Sequence, residues 1–162
     1  MMKNKLIFVL IFAFAVLLSN CEEDEHDNLN GVNFTLFNEP GMQSGITLSN
    51  TNIVNYDEIL GYDSTSHVFL LNDKAKERII NYSTSSFAVA VDGSVVYMAS
   101  SIPGYSSVSC FECIRIEPFS TDNKYPVELG YPGGSGFTGI DDRNDERIIE
   151  VLKRDNKLIN IK

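Results

Sequence analysis

Phe87-Ala88-Val89-Ala90-Val91-Asp92-Gly93-Ser94-Val95-Val96-Tyr97-Met98-Ala99 sets two β-rich apolar runs on either side of Asp-Gly. Valine and the aromatic residues suit a pleated, half-buried surface, and Asp-Gly supports the φ > 0 residues of a tight hairpin turn. The stretch therefore predicts an antiparallel hairpin of strands at 87–91 and 95–99.

Working outward, short β-rich runs bounded by Gly, Pro, Asn and Asp predict further strands at 32–37, 58–62, 67–71, 109–116 and 127–129. A helix should open at Asn72 as N-cap and run to Ile80, docking through Ala75, Ile79 and Ile80. A second should follow Asn144, with Asp145 and Glu146 where they complement the helix dipole and Ile148 and Leu152 four apart on one apolar face. Residues 157–161 could add a short terminal strand. The expected fold class is α+β, a small, mostly antiparallel sheet with two short helices. With no internal repeat and no linker, residues 32–162 form a single globular domain.

Composition agrees with that scale. The 162 residues are 43% hydrophobic and 22% charged, which describes one globular body rather than a disordered tail or a polytopic membrane protein. Thirteen Lys and Arg stand against 22 Asp and Glu, a net charge of −9. Such acidity argues against nucleic acid and anionic lipid as partners, because both demand clustered cations.

Three segments carry a family likeness in order: Asn52-Ile53-Val54; His67-Val68-Phe69-Leu70-Leu71 leading to Asp73, Ala75 and Arg78; and the hairpin from Phe87 to Val96. Together they resemble the soluble head region of SecD-type translocase subunits over about half of the mature chain. The resemblance implies a ferredoxin-like βαββ core. It does not imply translocase activity, since the membrane part that couples proton flow to export has no counterpart here. The whole body, with Ile140-Asp141-Asp142-Arg143-Asn144-Asp145 and Leu152-Lys153-Arg154, also resembles uncharacterised small secreted bacterial proteins.

At the N-terminus, Lys3 and Lys5 precede an unbroken apolar run from Leu6 to Leu18. That pattern predicts a signal peptide over residues 1–20, and the run is shorter than the roughly 20 residues a membrane-spanning helix needs. Leu18-Ser19-Asn20-Cys21 resembles the lipobox of bacterial lipoproteins, although Asn20 replaces the usual small residue. The resemblance makes Cys21 the lipidated first residue of the mature chain, and anchoring through two or more acyl chains is stable. Residues 21–31 then form an acidic tether. Its Glu22-Glu23-Asp24-Glu25-His26-Asp27 is too charged to pack and resembles the surface-export signal of Bacteroidetes lipoproteins. The expected location is the cell envelope, on the outer membrane, facing the periplasm or the surface. Without the leader the charge is −11, and without the five acids of the tether the body keeps −6.

Catalytic constellations are weak. Cys110-Phe111-Glu112-Cys113 has β-like flanks and no following helix to activate a thiol. It remains open between a local disulfide, unpaired thiols, and redox or metal chemistry. A disulfide would need a bulge or turn at Phe111-Glu112, because strand residues three apart face opposite sides. His67 is the one globular candidate for a general base. The serine segments lack the second glycine of G-x-S-x-G, and the loop from Gly130 to Gly139 lacks the ending of a P-loop. Asp141, Asp142, Asn144, Asp145 and Glu146 gather oxygen ligands without EF-hand spacing, and helix capping already explains them. Asp63-Ser64-Thr65 resembles an O-glycosylation sequence of exported Bacteroidetes proteins.

No catalytic residue, metal or cofactor is therefore expected. The candidate binding loop comprises Tyr105, Tyr131, Gly133, Gly134, Gly136 and Phe137, since exposed tyrosines on Gly, Ser and Pro loops stack on ligands. The leading expectation is a non-enzymatic, lipid-anchored envelope module that binds a protein, peptide or glycan. The alternative is an envelope thiol or redox accessory, or an enzyme, using Cys110 and Cys113.

Overall fold

The computed structural model describes residues 30–38 and 47–161. Cys21, the leader and most of the tether lie outside the described residues. Eight strands form, β1 (Val32–Asn38), β2 (Thr47–Val54), β3 (Ile59–Asp63), β4 (Val68–Leu71), β5 (Ser86–Val91), β6 (Ser94–Ser101), β7 (Cys110–Ile116) and β8 (Lys124–Tyr131). Two nine-residue helices accompany them, α1 (Asp73–Asn81) and α2 (Glu146–Arg154). The strands join into one sheet in the order β2-β1-β5-β6-β7-β8-β4-β3. Four antiparallel pairs of consecutive strands make it up, and the only parallel neighbours among the described strands are β6 and β7.

The expected α+β class, a small sheet with a ferredoxin-like βαββ core, is not what forms: the fold is mostly β, one eight-stranded mixed sheet with two short helices, and the SecD-type likeness does not extend to topology. A βαββ unit would lay the strands flanking α1 in one small sheet around the helix. Here β4 pairs with β3 and β8, whereas β5 pairs with β1 and β6, in opposite halves of the sheet. Nine helical residues advance only about 13 Å, and α1 uses that length to lie over the edge of the sheet against β2. One strand, β2, has no counterpart among the expected ones, and β8 is longer than expected. β2 is mostly Thr, Ser and Asn and lacks an apolar alternation, and β8 extends through Lys124-Tyr125-Pro126 ahead of the expected 127–129.

Chain length forces the sheet to curl. β2 and β3 are its two outermost strands, yet only residues 55–58 connect them, a reach of at most about 18 Å. Eight strands laid flat would put those edges about 34 Å apart at the usual spacing. The curl brings Phe34 of β1 onto Phe69 of β4, ring centroids 5.2 Å apart and edge to face, although four strands separate them in the sheet. Phe34 also stacks on Phe87 at 5.4 Å. Phe34, Phe69, Phe87, Tyr62 and Tyr125 lie in one buried cluster with Ala75 and Ile79 of α1 and Ile148 and Leu152 of α2.

The seam between the outer strands is filled by polar groups. Arg78 of α1 donates from Nε to the Ile53 carbonyl of β2 at 3.2 Å and pairs with the buried Glu58 carboxylate. Glu58 in turn accepts the Asn55 N–H at 2.9 Å, capping the 3-10 turn at Tyr56–Glu58. Lys157 donates to the Tyr56 carbonyl at 2.6 Å and sits over its ring. The free edge of β3 is met by the tail, where Tyr62 N–H donates to Lys157 O at 2.8 Å and Ile159 N–H to Tyr62 O at 2.9 Å. The expected terminal strand is thus a single parallel bridge, Tyr62 with Leu158.

Asp63 fixes the end of that tail by accepting N–H groups from Thr65 and Ile161, each at 2.8 Å. These donors favour the charged carboxylate and lower its pKa from 3.8 to about 2, the Ile161 N–H contributing most. Between those two values the unfolded chain binds the proton more readily than the folded one, so stability is lost as pH falls. Thermal melts of the parent and Asp63→Asn should therefore converge as pH drops from about 4 to 2. Curves that stay parallel would remove Asp63 from acid unfolding.

Candidate functional site

The turn between β5 and β6 takes the expected form, with Asp92 at φ 49° and Gly93 at φ 77°. At the opposite end of that hairpin, Ser86 and Ser100 face each other and their hydroxyls lie 3.1 Å apart. β6 then ends and the chain must reach β7, which runs parallel to it, through residues 102–109. Ile102 and Pro103 bury themselves at the start of this passage, and Ile102 N–H bonds to Ile116 O at 3.1 Å. Between the strand ends and the passage lies a groove of about 390 Å³.

Six hydroxyl-bearing residues, Thr84, Ser86, Ser100, Ser101, Ser106 and Ser109, border this groove with Ile102, Pro103, Val108 and Cys110, and most of the lining surface is apolar. Ser101 is 2% exposed and its hydroxyl has no hydrogen-bond partner. Tyr105, between the lining residues Pro103 and Ser106, is 80% exposed and stacks on Phe119 at 5.9 Å. Val108 and Phe111 add exposed apolar surface nearby in the chain.

Tyr131 anchors the passage from below, donating its hydroxyl to Gly104 O at 2.8 Å and Ser106 O at 3.0 Å. The Arg115 guanidinium lies 4.6 Å from the Tyr131 ring centroid, and its nitrogens approach Glu128 at 2.7 Å and Glu117 at 3.3 Å. A buried cation held by two acids and an aromatic face keeps this strut in place.

The remaining candidate residues separate. Gly133 and Gly134 border a different hollow of about 320 Å³ with Glu128, Leu129 and Arg143. Gly136 lies against the Phe111 ring, and Thr138 N–H bonds to Phe111 O at 3.0 Å, so the glycine segment straps β7. Phe137 is half-buried there. The segment that carries Tyr105 and the glycine loop are therefore joined through Tyr131 but border separate concavities.

Cys110 and Cys113 are joined as a disulfide, with Cα atoms 5.7 Å apart. The bulge that spacing demands is present, since Cys110 pairs with Tyr131 and Ile114 with Leu129, so β7 spends four steps where β8 spends two. Phe111 and Glu112 are pushed outward and exposed. β7 continues after Cys113 as strand, and Cys110 borders the groove.

His67, at φ 54° in the turn before β4, brings Nδ1 within 3.3 Å of the Tyr62 hydroxyl. Burial and then the charge of Arg143 lower its pKa. The Tyr62 hydroxyl also lies 3.0 Å from Arg143 O and 3.1 Å from Asn144 Oδ1, and burial raises its pKa. This group joins the β3–β4 turn to the entry of α2. Two of the acids grouped as oxygen ligands are occupied, Asp141 by a forked contact to Arg143 and Asp145 by Arg147 and the α2 cap. Among the described residues no three metal-binding side chains gather, and no helix is long and apolar enough to cross a membrane.

Sequence reasoning named Tyr105, Tyr131 and the cysteines but missed Ser86, Ser100, Ser101, Arg115 and Phe119. Serines at strand ends carry no pattern that distinguishes a groove from a turn. A comparison with protein-family models, with curated proteins and with solved structures finds no match for this chain.

Proposed function

We propose that this chain is a lipid-anchored envelope protein whose folded body is a non-enzymatic binding module, with the groove between the β5–β6 end and the 102–109 passage as its binding site. The observation that carries the reading is the Tyr105–Phe119 stack held out to solvent beside a hydroxyl-lined groove whose outer wall is tied down by Tyr131. Large, rigid aromatic groups left exposed next to a concavity suit recognition, because they bring contact area at little conformational cost.

Anchoring rests on the lipobox-like segment ending at Cys21 and the acidic stretch after it. Cys21→Ser should abolish labelling by a fatty-acid probe and release the protein from the membrane fraction. Unchanged labelling and fractionation would overturn the anchor. For the groove, hydrogen exchange of the full chain with a detergent-solubilised envelope extract should slow at residues 100–110. Protection confined to other elements would remove the groove from the reading.

A further inference from the structure

We infer that the groove takes an uncharged saccharide, read by the serine hydroxyls and stacked at its rim on Tyr105. The inference rests on the binding-module reading and narrows it to one ligand chemistry. Three features of the groove select that chemistry.

The first is the lining itself. Its polar side chains are hydroxyl-bearing and the remaining ones are apolar or, at Cys110, disulfide-bonded, so no side chain of the lining offers a cation or an anion to a charged ligand. A body carrying −6 also repels polyanionic glycans. Hydroxyls donate and accept at once, which matches the hydroxyls of a neutral sugar.

The second is Ser101. Buried polar groups are ordinarily hydrogen-bonded, and each one that is not calls for an explanation. Ser101 is among the residues lining the groove, and its Oγ is buried with no partner in the protein. A ligand hydroxyl entering the groove would satisfy it.

The third is the state of the backbone. An extended peptide gains affinity by adding a strand to an open edge. β5 is flanked by β1 and β6, and Ser100 and Ser101 of β6 are paired on their other side with Arg115 and Ile116 of β7. Ser100 and Ser101, at the end of β6, therefore have no edge to lend. What they present is hydroxyl-bearing side chains, and the chain between the lining residues Pro103 and Ser106 carries the exposed Tyr105, on whose ring the apolar face of a sugar can stack. A volume near 390 Å³ lies at the low end of ligand sites, which suits a short stretch of a sugar chain.

Full-length protein in detergent is titrated by calorimetry with hexasaccharides of glucose, xylose and mannose, with polygalacturonate, and with a library of extended hexapeptides. At least one neutral hexasaccharide is expected to bind. Tyr105→Ala should weaken it at least tenfold, while Ser101→Ala should weaken it about three- to tenfold and leave the melting temperature unchanged or higher, because it removes an unpartnered buried hydroxyl. A merely structural Ser101 would lower the melting temperature without that selective loss. Tyr105-dependent binding of peptides, or of polygalacturonate alone, would overturn the uncharged saccharide as ligand and leave the binding module standing. Absence of binding by every probe at millimolar concentration would overturn both.

Discussion

Arg78→Ala is expected to lower folding stability by about 3 kcal/mol, the low end of the cost of breaking a buried ion pair, because Glu58 is buried while Arg78 is partly exposed. Glu58 is 3% exposed, and without Arg78 its carboxylate would remain inside facing only the Asn55 N–H. The Ile53 carbonyl on β2 would lose its donor in the same step. Since domains of this size are stable by only about 5–15 kcal/mol, the variant should unfold at markedly lower urea, as circular dichroism would show. Replacing the pair together, Arg78→Met with Glu58→Gln, should regain much of the loss, because no buried charge is then stranded. A single variant as stable as the parent would show that the seam closes without the pair.

Phe34→Ala should cost a similar amount, about 3–5 kcal/mol, through lost burial and the cavity left behind. Its ring touches Phe87 two places along from β2 and Phe69 near the other end of the sheet, so one side chain ties together the two halves of the curl. Phe34→Leu keeps most of the volume and should cost well under half as much. The comparison by chemical denaturation isolates cavity formation from any effect of β1 pairing, which neither change alters. Equal losses for both variants would mean that ring geometry, rather than volume, governs the site.

What the sequence displayed was local. Asn72 caps α1 by accepting the Ala75 N–H at 3.0 Å, Asp145 caps α2, and Asp92-Gly93 turns the hairpin, each a signal contained within a few residues. β2 was invisible for a physical reason. Thr35 bonds to Asn52 at 2.7 Å, and Asn52 to Asn55 at 3.0 Å, so polar side chains are buried there by bonding one another and leave no apolar alternation. The curl was equally hidden, because it depends on β1 meeting β5 and β4 meeting β8, pairings that no short window contains. The candidate site was legible where an aromatic marked it, at Tyr105 and Tyr131. Its floor came from three separate segments whose serines mean nothing until β5 and β6 bring them together.

The short passage between the outermost strands also dictates an order of assembly. Four pairs of consecutive strands can each zip early, because their partners are neighbours in the chain. Joining them requires contacts across long stretches of chain, and such non-local pairing slows folding towards milliseconds to seconds. The β3 edge is met, among the described residues, only at Lys157, Leu158 and Ile159, so the sheet stays open until those residues are in place. During that interval β2 and β3 are exposed edges of the kind that recruit other chains. Refolding is thus a contest between the tail of the same molecule and the edge of the next, which dilution decides in favour of the tail.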